Sequence, residues 1–166
     1  MNIVLIGYRG TGKTSVAKIL AERLKWPVVS TDTEIVRKAG MGVPGIIQKR
    51  GWDYFRDLES QICRRVGAKD RTIIDTGGGA ILRKENVDAL RQRGRVFWLT
   101  AETATIMERI KSGTERPSLT SKKTYVEEVE EVLKERLPLY KAACDQVIPT
   151  DGRTLDEIAD EIQSKM

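Results

Sequence analysis

The feature that most constrains the fold of this chain is a glycine-rich loop near its start. The apolar run from Asn2 to Ile6 predicts a buried strand. Residues 7–14 follow it and read G-Y-R-G-T-G-K-T, and apolar residues between 16 and 24 then recur at helical spacing. A strand, a G-x-x-x-x-G-K-[ST] loop and a helix, in that order, form a phosphate-binding loop. The chain is therefore predicted to bind a nucleoside triphosphate.

The residue types of this loop suit a phosphate group. Its glycines let the backbone turn so that N–H groups converge on an anion, and the start of the helix adds the positive end of its dipole. Lys13 is predicted to contact the β- and γ-phosphates, and the Thr14 hydroxyl is predicted to bind Mg²⁺. The residues predicted to hold the phosphates are Gly10, Thr11, Gly12, Lys13, Thr14 and Ser15.

Strand-like and helix-like segments alternate along the rest of the chain. Apolar strands are expected near residues 28–30, 72–75, 95–99 and 146–149, and a late helix from Thr124 to Leu137 runs towards Pro138. Such alternation favours a parallel sheet with helices on both faces. We predict one domain over residues 1–166 with a three-layer α/β/α fold and a five-stranded parallel sheet.

Composition narrows the function classes. A net charge of +5 is compatible with nucleic-acid binding, but the basic residues are scattered and aromatic residues make up only 5% of the chain. A small enzyme with anionic substrates accounts for the same charge. Because the chain has no histidine, a general base has to be a carboxylate, a lysine or a tyrosine. Cys63 and Cys144 predict free or buried thiols rather than a disulfide or a metal site.

The chain shows no sign of a membrane segment. Its apolar runs are far shorter than the roughly 18 residues that suggest a transmembrane helix. Met1 leads directly into the first strand without a leader, so we expect a cytoplasmic location. We also expect a monomer with small-molecule substrates and with neither a nucleic-acid nor a membrane partner.

Polar residues and glycines follow two of the predicted strands. Asp32 comes just after the second strand, and Asp75 ends the third and leads into Gly77-Gly78-Gly79. The carboxyl ends of parallel strands form the rim at which open α/β sheets bind ligands. Three successive glycines lose much conformational entropy on folding, so we expect them where backbone approaches a ligand closely, with a flexible turn as the alternative.

Six motifs occur in this order along the chain, and they are residues 7–14, Thr31-Asp32, residues 51–59 (G-W-D-Y-F-R-D-L-E), residues 77–80 (G-G-G-A), Arg116-Pro117 and residues 135–140 (E-R-L-P-L-Y). With these motifs the sequence resembles the shikimate kinases, small P-loop kinases related to the nucleoside monophosphate kinases. The first motif occurs in many NTPases of the P-loop type. The later motifs, in this order and spacing, are much more selective, and the resemblance covers nearly the whole chain.

The resemblance implies an enzyme that transfers the γ-phosphate of ATP to the 3-hydroxyl of shikimate, giving shikimate 3-phosphate and ADP. It also implies that Arg56 and Arg136 bind the carboxylate of shikimate, that Glu59 fixes Arg56, and that Asp32 accepts the 3-hydroxyl as the base. The helical region of about residues 32–62 would bind the substrate. The implied shikimate-binding residues are Asp32, Arg56, Gly77, Gly78, Gly79 and Arg136.

The resemblance also assigns a lid to residues 111–123. Arg116 would reach from the lid to the phosphates and stabilise their charge. Arg109 would lie against the adenine, and Arg153, in the turn at residues 151–153, would form the other side of that pocket. An ordinary solvated loop is the alternative. The implied catalytic residues are Lys13, Asp32 and Arg116.

The sequence departs from the pattern of the family at two positions. The family usually has D-T-D after the second strand, whereas this chain has Ser30-Thr31-Asp32 and so lacks the first aspartate, which helps to hold the waters around Mg²⁺. At Asp75 the family more often has a small or polar residue. We hypothesise that the carboxylate beside Mg²⁺ has moved to the third strand, with Thr14 as a ligand and Asp75 acting through water.

Two other functions are left open by the sequence. One is a related P-loop kinase for another hydroxyl acceptor such as gluconate or a nucleotide, although those enzymes lack the pairing of Phe55-Arg56 with Arg136 around G-G-G. The other is a catalytically silent nucleotide-binding module. The presence of Lys13, Asp32 and Arg116 argues against it, since binding alone requires no base.

Overall fold

A computed structural model describes residues 1–111 and 125–166. The strands in these ranges are β1 (Asn2–Ile6), β2 (Val28–Ser30), β3 (Ile73–Asp75), β4 (Gly94–Thr100) and β5 (Gln146–Pro149). The α-helices are α1 (Lys13–Leu24), α2 (Thr31–Ala39), α3 (Val43–Gly67), α4 (Lys84–Arg91), α5 (Thr103–Lys111), α6 (Tyr125–Ala143) and α7 (Leu155–Ser164). A short 3₁₀ helix spans Ala80–Leu82.

The five strands form one parallel sheet in the order β2-β3-β1-β4-β5. Strand β1 is central, so the loop that follows it emerges in the middle of the carboxyl edge of the sheet. The segments after β2 and β3 emerge beside it on one side. The sheet predicted from the alternating pattern is therefore confirmed, and its edge gathers the loop, the Asp32 segment and the glycine run.

Helices cover both faces of the sheet, as the sequence predicts. Val4 and Ile6 of β1 pack into one core with residues of α2, α3, α4 and α6. Ile3 and Leu5 point the other way, into a core with α1 and α7. Because successive side chains of a strand face opposite sides, one apolar run supplies both cores. The result is the predicted three-layer α/β/α arrangement.

Helix α3 joins two segments that the sequence suggested as separate helices. Gly51 lies between them with φ 84° and ψ 172°, a backbone conformation that turns the chain within the helical region. The second segment then presents Phe55, Arg56 and Glu59 towards the carboxyl edge of the sheet. The glycine therefore sets the direction in which these side chains point.

The expected end of the last long helix near Leu137 is wrong. Helix α6 continues through Pro138 to Ala143. The turn after the proline buries Tyr140, whose ring stacks on Trp98 with centroids 5.6 Å apart, and it also buries Ala143. This packing offsets the hydrogen bond that proline removes, which local sequence rules do not include.

The two cysteines are free thiols, as predicted. Cys63 is buried, and burial raises the pKa of its thiol to about 12, whereas Cys144 is partly buried. Within residues 1–111 and 125–166, none of the helices has the length and apolar character needed to cross a bilayer.

Candidate active site

The loop after β1 has the geometry of an anion site. Gly10 and Gly12 have φ values of 85° and 92°, in the left-handed region that favours glycine. In the part of the chain that the structure describes, no side chain caps the start of α1, whereas the hydroxyls of Ser30 and Thr154 cap α2 and α7. The first N–H groups of α1 are thus left without a side-chain cap, so they are available to an anion such as a phosphate group.

Lys13 lies inside this loop and is only 7% exposed. Its Nζ donates hydrogen bonds to the carbonyl oxygens of Gly7 at 2.8 Å and Tyr8 at 3.1 Å. The Thr11 hydroxyl also donates to the Tyr8 carbonyl, at 2.8 Å. Thr11 therefore braces the loop from within, and Lys13 places a positive charge under it.

Thr14 and Asp75 form a second contact at the loop. The Thr14 hydroxyl donates a 2.7 Å hydrogen bond to Asp75 Oδ2. Asp75 is buried, and burial raises the pKa of its carboxyl, while Lys13 and the Thr14 hydrogen bond oppose the rise. Asp75 is also the register partner of Ser30 in the neighbouring strand β2. The two positions are therefore adjacent at the end of the sheet.

Two clefts open at this edge of the sheet. The loop cleft, as we call it, is lined by Gly10, Gly12, Lys13, Thr14, Ser15, Ser30, Thr33, Asp75, Thr76, Arg109 and Ile110. The arginine cleft is lined by Tyr8, Val43, Trp52, Phe55, Arg56, Glu59, Gly79 and Arg136. Four further residues line both clefts, and they are Arg9, Asp32, Gly77 and Gly78.

Arg56 and Glu59 form an ion pair in the wall of the arginine cleft. Arg56 Nη1 donates to Glu59 Oε1 at 2.8 Å, and the Glu59 side chain is only 1% exposed. The guanidinium carbon of Arg56 lies 5.3 Å from the centre of the Trp52 ring. Burial raises the pKa of the Glu59 carboxyl, and the charges of Arg56 and Arg136 oppose that rise. Glu59 and Trp52 together fix the plane of the Arg56 guanidinium.

Arg136 comes from the other side of the cleft, on α6, and is 8% exposed. Tyr140 lies one turn further along the helix, and its buried hydroxyl donates a hydrogen bond to the Gly78 carbonyl. Burial raises the pKa of Tyr140 to about 12, and the neighbouring Arg136 opposes the rise. At neutral pH Tyr140 is therefore a protonated donor that ties α6 to the glycine run.

The glycine run is required by the side chains around it. A Cβ on Gly77 would lie 2.6 Å from Asp32 Oδ1, and a Cβ on Gly79 would lie 2.4 Å from Arg56 Nη1. The Gly77 N–H donates to the Thr31 hydroxyl at 2.9 Å, so this part of the backbone is held in place. These contacts show that the run packs closely against Asp32 and Arg56 and is not a loose turn, while close approach to a ligand stays a prediction.

Asp32 lies where the two clefts meet. The loop cleft offers backbone N–H groups and Lys13 to phosphates, and the arginine cleft offers the guanidinium groups of Arg56 and Arg136 to a carboxylate. A carboxylate at their boundary suits an acceptor hydroxyl. The arrangement can therefore transfer a phosphoryl group from a nucleotide to a small hydroxy acid.

Comparison with known proteins identifies the family. The shikimate kinase family model matches residues 9–166. The chain belongs to the shikimate kinase family. The shikimate kinase of Thermodesulfovibrio yellowstonii is 42% identical over 161 residues, which cover 97% of this chain and 92% of that protein. That of Symbiobacterium thermophilum is 41% identical over 167 residues, with coverage of 100% and 96%.

Solved structures agree with this membership of the shikimate kinase family. Shikimate kinase from Acinetobacter baumannii in complex with shikimate is 32% identical and superposes with a TM-score of 0.92, covering 99% of this chain and 91% of that one. A gluconokinase from Sinorhizobium meliloti, at 18% identity and a TM-score of 0.61, shares the fold alone. The superposition with the gluconokinase covers 98% of this chain and 89% of the gluconokinase chain.

Most of the residues implied by the resemblance to shikimate kinases lie at the two clefts. The arginine cleft contains Arg56, Gly79 and Arg136, and the boundary contains Asp32, Gly77 and Gly78. The predicted phosphate residues line the loop cleft, apart from Thr11, which lies beneath the loop. Lys111 ends α5, and the rest of the predicted lid, residues 112–123 with Arg116, lies outside the described residues. The roles of all these residues remain predictions.

The two arginines predicted to bind the adenine differ in their surroundings. Arg109 lines the loop cleft, and its Nη1 donates to the Gly10 carbonyl at 3.1 Å. The guanidinium of Arg153 instead pairs with Glu161 of α7 at 2.5 Å and donates to the Pro149 carbonyl at 2.9 Å. Arg153 lines neither cleft, but its backbone N–H donates to the Thr150 carbonyl at 3.4 Å, and Arg109 Nη1 donates to the Thr150 hydroxyl at 3.4 Å. The two residues therefore contact the same threonine, and their adenine contacts stay predictions.

Sequence reasoning missed several residues of the arginine cleft. Val43, Trp52 and Phe55 form its apolar wall, and the Trp52 ring meets Phe55 edge-on at 5.8 Å. Residues 52 and 55 belong to the motif at residues 51–59, in which the resemblance gives roles only to Arg56 and Glu59. An aromatic residue three positions before a buried one is an ordinary core pattern, so nothing in the spacing marked Trp52 as a cleft residue.

Replacing Glu59 by glutamine is expected to change how stability depends on pH. Because burial raises the pKa of Glu59, its ionised form is less favourable in the folded chain than in the unfolded chain. This stabilising contribution is fully present below the ordinary value of 4.5 and is lost as the pH rises through the folded-state pKa. The wild type should therefore gain free energy of unfolding relative to Glu59→Gln as the pH falls from 7.5 towards 4.5.

Urea unfolding of both proteins across this pH range measures the effect. Asp57→Asn, two positions earlier on an exposed part of α3, is the matched control and should follow the wild type. If the free energy of unfolding depended on pH in the same way in the wild type and in Glu59→Gln, burial would not raise the pKa of Glu59 as described.

Proposed function

We propose that this chain transfers the γ-phosphoryl group of ATP to the 3-hydroxyl of shikimate. The observation that supports this most strongly is the shared boundary of the two clefts at Asp32. A phosphate-binding loop lies on one side of Asp32, and a pair of nearly buried arginines lies on the other. Shikimate carries a carboxylate and hydroxyls on one small ring, which matches this separation of charges.

The arginine cleft supplies the groups that orient the acceptor. Arg56 and Arg136 bind the shikimate carboxylate, because guanidinium forks match the two oxygens of a carboxylate better than ammonium groups do. Glu59 holds Arg56 in position at 2.8 Å. The carbon ring of shikimate packs against the apolar wall of Val43, Trp52 and Phe55. This places its hydroxyls towards Asp32.

Asp32 accepts the hydrogen bond of the 3-hydroxyl and takes its proton. The hydroxyl oxygen then forms a bond to the γ-phosphorus as the bond to the ADP oxygen breaks, in line with it. Lys13 and the N–H groups at the start of α1 neutralise the charge on the phosphate oxygens. Arg116 remains the predicted stabiliser from the lid, and Arg109 and Arg153 the predicted adenine contacts.

Mg²⁺ fits the oxygen donors at the loop cleft. The Thr14 hydroxyl and the Asp75 carboxylate are in contact at 2.7 Å, and Mg²⁺ commonly takes one or two protein oxygens together with substrate phosphates and water. When bound, it would neutralise charge on the β- and γ-phosphates. The register pairing of Ser30 with Asp75 supports the view that the carboxylate has moved to β3.

Asp75→Asn is expected to weaken Mg²⁺ binding at the loop cleft without changing the structure of the loop. The Mg²⁺ concentration that half-saturates ADP binding, measured by titration calorimetry, should rise by about tenfold because one charge-assisted contact is lost. Adding Ser30→Asp to this variant should restore the wild-type value, since the two positions are register partners. An aspartate can also replace Ser30 as the cap of α2.

The single variant Ser30→Asp is the control for the double variant. An Asp75→Asn protein with an unchanged Mg²⁺ requirement would contradict a metal role for Asp75. If Asp75→Asn required more Mg²⁺ but adding Ser30→Asp did not restore the wild-type requirement, the proposal that the carboxylate has moved from β2 to β3 would be contradicted.

A coupled assay of ADP release tests the proposed function. Purified protein with ATP and Mg²⁺ should release ADP rapidly with shikimate and only at background rate with gluconate, nucleoside monophosphates or water as acceptor. Rapid release with another acceptor would overturn the proposal, and nucleotide binding without turnover would indicate a silent binding module. A monomeric state, the absence of nucleic-acid and membrane partners, and a cytoplasmic location remain predictions.

A further inference from the structure

Arg9 is the one cationic residue of the loop motif apart from Lys13, and the motif does not require it there. The third position of G-x-x-x-x-G-K-[ST] accepts any residue. In this chain it places a guanidinium at the boundary where the two clefts meet. Among the described residues, Arg9 is the only cationic side chain that lines both clefts.

Arg9 differs from Arg56 and Arg136 in the clefts that it lines. Arg56 and Arg136 line the arginine cleft but not the loop cleft, whereas Arg9 and Asp32 line both. In the proposed reaction Asp32 marks the position of the attacking hydroxyl. Arg9 therefore lies on the side of the arginine cleft that adjoins the loop cleft.

Two contacts fix this position. The backbone nitrogen of Arg9 lies 3.6 Å from the point that a Cβ on Gly78 would occupy, so the loop and the glycine run are close together. The guanidinium carbon lies 5.7 Å from the centre of the Tyr8 ring, and Tyr8 is only 2% exposed. A cation over a buried aromatic ring is held in a limited range of positions.

The charges around the boundary favour an anionic partner there. Arg9, Arg56 and Arg136 bring three guanidinium groups to the arginine cleft, where Asp32 and Glu59 bring two carboxylates. Glu59 pairs with Arg56, and the proposed function gives the acceptor carboxylate to Arg56 and Arg136. A third guanidinium beside Asp32 suits the negative oxygens of a transferring phosphoryl group.

We propose that Arg9 contacts an oxygen of the γ-phosphoryl group and stabilises its charge during transfer. This inference rests on the proposed function, and it assigns to the loop a charge stabiliser of its own, in addition to the one predicted in the lid. Arg9 takes no part in bond making or proton transfer. It lowers the barrier by holding positive charge at the point between the attacking and leaving oxygens.

The test compares nucleotides that differ in the γ-phosphate. In calorimetric titrations with Mg²⁺, Arg9→Met should bind a non-hydrolysable ATP analogue about 10- to 100-fold more weakly than the wild type. Its affinities for ADP and for shikimate should stay at the wild-type values. Turnover should fall by about 100-fold, similar to the loss of one preorganised charge or donor at a transition state.

Arg50→Met is the matched control. Arg50 is exposed and lies 5.1 Å over the Tyr54 ring, a stacking contact like that of Arg9, but it lines neither cleft. It should bind all three ligands as the wild type does. Thermal unfolding shows whether Arg9→Met folds. If Arg9→Met does not fold, Arg9→Gln is used instead, because glutamine keeps a polar side chain without the charge.

The outcomes separate the possible roles of Arg9. A loss of shikimate affinity with unchanged discrimination between ADP and the analogue would overturn the proposal in favour of a carboxylate contact. Unchanged binding of all ligands would also overturn it. If the wild type does not phosphorylate shikimate but Arg9→Met still loses affinity for the analogue, the proposed acceptor is wrong and the γ-phosphate contact stands.

Discussion

Asp32→Asn is expected to lower kcat by about 10²- to 10⁴-fold, the range found when a general base is removed. Asparagine has the same shape, so it should fit beside Gly77, where Asp32 Oδ1 lies 2.6 Å from the position of an added Cβ. The amide cannot take the proton of the acceptor hydroxyl. The affinities for ATP and shikimate, measured by calorimetry, should stay close to those of the wild type.

The size of this loss distinguishes two roles of Asp32. In a loose transition state, positioning of the hydroxyl supplies much of the rate, and asparagine can still orient a hydroxyl. A fall in kcat of less than about tenfold, well below the usual contribution of a base, would therefore contradict proton removal by Asp32. Asp53→Asn, on the exposed side of α3, is the control and should leave kcat unchanged.

Arg136→Met is expected to lower kcat/KM for shikimate by about 30- to 100-fold, as the loss of a charged hydrogen bond in a nearly buried site would. Methionine keeps the unbranched stem of the arginine, so the packing of α6 should change little. The effect should appear mainly in KM, because the carboxylate contact is made before and during transfer alike. ATP affinity should not change.

Arg83→Met is the matched control, since Arg83 pairs with Asp57 outside the cleft at 2.8 Å. Its kcat/KM should equal that of the wild type. A fall in kcat for Arg136→Met with an unchanged KM would contradict a role in ground-state binding. It would place the arginine at the transferring phosphate instead.

The fold could be predicted well because its signals are local. The apolar runs, the glycine loop and the helical spacing after it each define an element from neighbouring residues, and parallel pairing follows from their alternation. The continuation of α6 past Pro138 could not be predicted in this way. It depends on Tyr140 stacking on Trp98, a contact between distant parts of the chain.

The site could be predicted in outline for a similar reason. Residues that follow parallel strands meet at one edge, so Asp32, Asp75 and the glycine run had to lie near the loop. The partners of the individual side chains could not be predicted from the sequence. Nothing in the pattern around Arg153 shows that its guanidinium pairs with Glu161, or that Arg9 lines both clefts, because these facts depend on side-chain direction.

The central claim is that the arginine cleft holds the carboxylate of shikimate while the hydroxyl meets Asp32. The most direct test measures kcat/KM for shikimate and for its methyl ester, with the wild type and with Arg136→Met, as a double cycle. We expect the ester to be a much poorer substrate than the acid for the wild type, and the ratio of acid to ester to be clearly smaller for Arg136→Met, because the variant has lost one of the two arginine contacts to the carboxylate. Equal ratios of acid to ester in the two proteins would contradict the central claim.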